Sequence, residues 1–95
     1  MTICQVVGHV WATKKEESLS GLKLMVVREE WGSGKNAPCF VAADLVGAGI
    51  GERVLVVSGS TARRACGGDE RMVDGAIVGI IDSLEIESGT QRGKK

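Results

Sequence analysis

The chain has 95 residues, twelve basic and twelve acidic, so its formal net charge is zero. That balance excludes the strong field that gathers nucleic acid or holds a protein to an anionic membrane. Two tryptophans, one phenylalanine and no tyrosine leave little surface on which bases or sugars stack, and no apolar run approaches the ~20 residues that span a bilayer.

The length fits one domain with a modest core, expected over residues 1–87. Fourteen glycines and an apolar content drawn from Val, Ile, Leu and Ala favour strands and tight turns over helices. Cys4, Cys39 and Cys66 are odd in number and contain no C-x-x-C pair, which argues against a disulfide framework or a zinc site and for small buried thiols. The first eleven residues lack the basic start and apolar stretch of a secretory signal. The expectation is a soluble, cytoplasmic protein.

Residues 3–12 alternate, with Cys4, Val6, Gly8, Val10 and Ala12 on a small apolar face, which predicts a first strand. His9 falls on the other, mixed face. It has no second histidine to share a metal with, and reads as a surface or interface residue. Residues 13–20, TKKEESLS, form a charged loop closed by Gly21. A second strand follows over 22–28, apolar on both faces. Residues 29–38 carry turn residues and the only proline, and predict a long hairpin in which Trp31 covers a barrel end. Residues 39–45 form the third strand.

Residues 44–63, DLVGAGIGERVLVVSGSTAR, organise the centre of the chain. Glycines at every second position, Gly47, Gly49 and Gly51, build a tight corner and permit close approach of other groups. The fourth strand, 53–57, follows directly. Ser60 is the expected N-cap of a short helix over 61–66 that ends at Gly67 and Gly68, although no Glu or Gln completes a capping box. After a charged loop, the fifth strand runs from Ala76 through Asp82 to about Ile86. The last residues, 88–95, are polar and expected to be disordered.

Five strands and one short helix predict an all-β barrel, because closure removes exposed strand edges. Strands two, four and five are apolar on both faces, and no long helix is available to cover an outer one. Their outer faces are therefore expected to meet another protein surface, most simply a second copy of the chain.

The search for chemistry ends without a catalytic set. GAGIGE fails the dinucleotide fingerprint, since its sixth position is Glu52 and a strand rather than a helix follows. The turn Gly59-Ser60-Thr61 lacks the lysine of a phosphate loop. Ser58, Ser60 and the cysteines have only His9 as a base, in a distant segment. Asp44 and Asp82 both end apolar runs. As a carboxylate pair they are outweighed by hydrogen bonding at strand ends, or by pairing with Arg53, Arg63 or Arg64. No catalytic residue, cofactor or metal is predicted.

The run DLVGAGIGERVLVVSGSTARRA, followed by VDGAIVGIIDSLEI, resembles the vertex proteins of bacterial microcompartments of the EutN/CcmL type, and the opening ICQVVGHVWATKKEESLSGLKLMVV is similar to that family's start. The resemblance spans residues 3–86. It implies a five-stranded OB-like β-barrel with one short helix between strands four and five. It further implies a structural shell protein whose homopentamers cap the fivefold vertices of a polyhedral shell in the bacterial cytoplasm, beside hexameric and trimeric shell proteins. By this resemblance Gly47, Ala48, Gly49, Ile50 and Gly51 are placed at a subunit contact or near the fivefold axis. Ser60 and Arg63 match the family's corner turn, and Arg63 is expected to pair with Asp44 or Asp82, or to reach a neighbour. Two alternatives remain: an OB-fold module for single-stranded nucleic acid, which predicts a basic groove with exposed aromatics, and a small enzyme using the glycine corner as a substrate loop.

Overall fold

The computed structural model describes residues 1–13, 15–30 and 37–84. The strands are β1 (Thr2–Val10), β2 (Lys23–Glu29), β3 (Cys39–Asp44), β4 (Arg53–Ser58) and β5 (Gly75–Ile80), with one helix, α1 (Gly59–Ala65), between β4 and β5. They form a closed barrel in the order β1-β2-β3-β5-β4. All neighbours are antiparallel except β3 and β5, which run parallel and meet only at Ala43 with Ala76 and Asp44 with Ile77. This is the predicted fold class. The expected cover by Trp31, the far end of the predicted fifth strand (85–86) and the tail (88–95) lie outside the described residues.

Strand alternation sorts the apolar residues into two cores on opposite sides of the sheet. Cys4, Val6, Met25, Val27, Ala42, Val54, Val56 and Ile77 point into the barrel. Full burial of side chains such as Met25 and Ile77 contributes roughly 1.5–3 kcal/mol each. Their neighbours in sequence point outward, and Ala43, Val57 and Ala76 pack with Ala62, Cys66 and Val73 in a second core beneath α1 and the loop that follows it. The outer faces of β4 and β5 are therefore partly covered by the chain itself. Seven helical residues and a loop do what a long helix was expected to be needed for.

Several element ends differ from the sequence reading, each for a local reason. β1 stops at Val10, and a bulge between Val6 and Gly8 breaks its alternation, so Val10 is half-buried and Ala12 exposed. On β2 the inward residues are Met25 and Val27, whereas Leu22 and Leu24 pack against the second core. β5 ends at Ile80. It is bulged where Val56 pairs with Ile77 but Leu55 with Gly79, which turns both Ile77 and Ile80 to the barrel core.

The helix begins two residues before the expected start. Ser58, still paired to Gly75 in the sheet, occupies the N-cap without a side-chain bond, and Ser60 lies exposed inside the first turn. Gly59, at φ +61°, makes the sharp exit from strand to helix. At the other end Gly67 N–H donates to Arg64 O and Gly68 N–H to Arg63 O, the two bonds of a Schellman stop.

Candidate assembly surface at the glycine corner

The corner from β3 to β4 is built around one carboxylate. Asp44 closes β3, and its side chain is fully buried. Its Oδ1 accepts from the backbone N–H of Val46 and of Gly47, both at 3.1 Å, and Oδ2 accepts from Ala48 N–H at 2.9 Å. Three charge-assisted bonds to consecutive amides fold the chain back across the barrel end. Lys23, opposite Asp44 in the β2–β3 register, brings its Nζ to 3.7 Å of Oδ2. That contact is long and half-exposed, and adds little beside the amide bonds.

The next turn closes on itself. Gly49 N–H donates to Glu52 Oε1 at 2.7 Å, and Glu52 N–H donates to Gly49 O at 3.1 Å. Gly51 N–H then donates to Val6 O, and Gln5 Nε2 reaches Gly51 O, which ties the turn to β1. The amides of residues 46–49 and of Gly51 are thus all engaged within the chain, and none remains to cradle a phosphate. Gly47 and Gly51 sit at φ +79° and +95°, where a Cβ would meet nothing within 4 Å. Within the subunit, backbone angle rather than crowding requires glycine there.

The side chains of the corner divide sharply. Ala48 turns inward and plugs the main core at 1% exposure. Leu45, Val46 and Ile50 turn outward, and Ile50 is 62% exposed at the tip. Further exposed apolar groups lie on the first half of β3, at Phe40 and Val41, and at Met72.

The proposed ion pairs are not formed within the chain. Asp44 pairs with Lys23, and Glu30 Oε1 lies 2.7 Å from Arg53 Nε. Arg63 and Asp82 make no ion pair among the described residues, so the structure does not bring Arg63 to either aspartate. His9 stacks its ring on Trp11, with centroids 5.1 Å apart and planes 17° from parallel. Among the described residues no cluster of three metal-ligating side chains exists, and no helix is long and apolar enough to cross a membrane.

Of the cysteines, Cys4 and Cys66 are buried as expected, but Cys39 is exposed because it opens β3 at the barrel rim. Burial, then the charges of Glu29 and Glu30, push the Cys4 thiol up to about 11. Burial also raises the Cys66 thiol. Neither is an activated nucleophile.

The sequence reading missed two residues that shape the corner, Glu52 as an internal acceptor and Lys23 as the cross-strand cation. Glu52 carried a signal, being an acidic residue three positions after a glycine in a turn. Lys23 carried none until register was known.

Residues 1–82 match the family model described as "Ethanolamine utilisation protein EutN/carboxysome". The chain belongs to the EutN/CcmL family. The carboxysome shell vertex protein CcmL of Synechocystis sp. is 40% identical over 96 residues, covering all of this chain and 96% of its own. The microcompartment shell vertex protein GrpN of Rhodospirillum rubrum is 46% identical over 88 residues, 90% of this chain and 97% of its own. The solved GrpN structure, a pentameric microcompartment shell protein, superposes with a TM-score of 0.79 at 41% identity and covers 90% of this chain and 100% of that one. EutN/CcmL membership makes this chain a microcompartment shell vertex protein, and the nucleic-acid alternative finds no support among these relatives.

Proposed function

We propose that this chain assembles as a homopentamer that closes the fivefold corners of a microcompartment shell in the bacterial cytoplasm, against hexameric and trimeric facet proteins. Its role is structural rather than catalytic. The observation that carries this reading is the fold shared nearly end to end with pentameric GrpN. The surface supports it: the corner spends its polar groups internally and leaves Leu45, Val46 and Ile50 exposed beside glycines that hold no side chain between them and a neighbour. In this reading Gly47, Gly49, Ile50 and Gly51 belong to the contact between subunits, while Ala48, Asp44 and Ser60 serve the corner from within. The buried carboxylate of the corner, Asp44, is already occupied by three amides.

Native mass spectrometry of the full chain is expected to give a pentamer, and co-expression with hexameric shell proteins is expected to give closed particles by electron microscopy. A monomer, or facet assemblies left open with the pentamer present, overturns the reading.

A further inference from the structure

A ring made by rotation joins two different faces of each subunit, so a protruding group on one flank needs a matching recess on the other. The described residues offer one such pair. The recess is an apolar groove of about 180 Å³ on the outer side of β2 and β3, lined by Leu19, Leu24, Val41, Ala43, Met72 and Val73. It is held open by the loop before β5, which Ser18 anchors: Arg71 Nη1 donates to Ser18 O at 2.6 Å, and Met72 N–H donates to Ser18 Oγ at 3.2 Å. Met72 and Val41 on its rim are 64% and 44% exposed.

Among the described residues outside the groove, Met1, Trp11 and Ile50 are the most exposed large apolar side chains; Met1 is the first residue of the chain, and Trp11 and Ile50 stand in connections between strands. Trp11 follows Val10, which pairs with Leu24, so it stands on the same flank as the groove and is stacked on its own His9. Ile50 stands elsewhere. Its turn is bonded to Gln5 and Val6 at the β4–β1 seam, two strands around the barrel from the β2–β3 seam that bears the groove. Charge follows the same division. Exposed Glu52 flanks Ile50, and the groove continues, past Met72 and Val73, into a shallower recess lined by Arg63 and Arg71 together with Asp74. Arg63 has no ion pair among the described residues of its own chain.

We propose that, in the pentamer, Ile50 of each subunit seats in the Leu24–Val41–Met72 groove of its neighbour, with Glu52 beside that neighbour's Arg63 and Arg71. The contact rests on the pentameric reading above, and assigns Ile50 to the flank between subunits rather than to the axis.

The test is cross-linking of the full chain in a Cys39→Ser background, which removes the exposed native thiol. The double variant Ile50→Cys with Met72→Cys, oxidised with copper–phenanthroline, is expected to give a covalent ladder up to the pentamer, and neither single variant is expected to. Ile50→Asp is expected to cut the pentamer fraction at least about tenfold at fixed concentration, as loss of a central apolar anchor does, while Ile50→Val retains it. A pentamer by native mass without a ladder overturns the contact and leaves the pentameric reading standing. A ladder from Ile50→Cys alone overturns it too, since it would place the corners against each other at the axis. A monomeric unsubstituted chain overturns the pentameric reading itself.

Discussion

Before β4 the chain turns through residues 44–52 with carboxylate and amides inside and Ile50 outside. After β4 it turns through residues 59–74 with Ala62, Cys66 and Val73 inside and Arg64, Asp69 and Glu70 exposed. Apart from Met72, which stays exposed on the rim of the groove, the second arrangement is what a free surface asks for: apolar groups removed from water and charges left in it. The first inverts it. A carboxylate that stays folded under three N–H donors keeps a loop rigid without using its apolar side chains, and those remain available to another molecule. The difference teaches where to look for the protruding half of the contact in this barrel, at the connection stabilised by polar bonds, while the connection stabilised by burial offers only the recess beside Met72 that receives it.

That contrast can be broken most severely at Asp44. Asp44→Ala strands three amides, and is expected to destabilise the subunit by roughly 3 kcal/mol or more, read as a fall in Tm and faster hydrogen exchange at residues 46–48. On the other side of β4, Ala62→Leu overpacks the space beneath α1. It is expected to cost about 1–3 kcal/mol by denaturant unfolding, with the ring retained in native mass. If instead the ring is lost while the fold holds, the packing beneath α1 itself shapes the contact and the contrast fails.

Alkaline titration reaches the barrel core itself. With the folded Cys4 thiol at about 11 and the unfolded value at 9.0, the unfolded chain loses its proton first. The contribution is whole below pH 9 and falls as pH rises towards 11, by roughly 2 kcal/mol in all. A Cys4→Ser or Cys4→Ala chain should show a flatter stability profile over that window. The smallest effect is expected at Gly47, where only the backbone angle is at stake. Gly47→Ala should cost about 1 kcal/mol by thermal unfolding, because nothing stands where its Cβ would go. A much larger loss would show that the corner is crowded by a neighbour.

Much of this was legible in the sequence, and the gaps have physical causes. Alternation in β1 and apolar runs bounded by turn residues elsewhere located all five strands, but they did not choose the inward face of β2, since Leu24 and Val26 are as apolar as Met25 and Val27. The choice depends on which face meets Ile77 and Val54 across the barrel. The glycines marked the corner correctly, yet Asp44 governs it, and a lone aspartate at a strand end declares its acceptors only when the following amides are seen to converge. The sequence places the cap at Ser60, two residues late, because the strand reads as ending at Val57; Ser58 still belongs to the sheet, and Gly59 makes the turn with no intervening residue. The cover beneath α1 was invisible because Ala62, Cys66 and Val73 show no helical stripe long enough to detect.

The parallel seam between β3 and β5 consists of two residue pairs, and one of its four members is Asp44. Every other seam joins strands over longer stretches, and β1–β2, β2–β3 and β4–β5 do so between strands adjacent in sequence. Contacts between segments distant in the chain form late, after local hairpins have lowered the entropy of bringing them together. Two seams join strands distant in sequence and are left to close late, β1–β4 and β3–β5, and the second draws on the same residue that sets the corner. A newly made chain has no finished tip to offer its siblings until its own topology is complete, and the fold thereby times recognition to follow maturation.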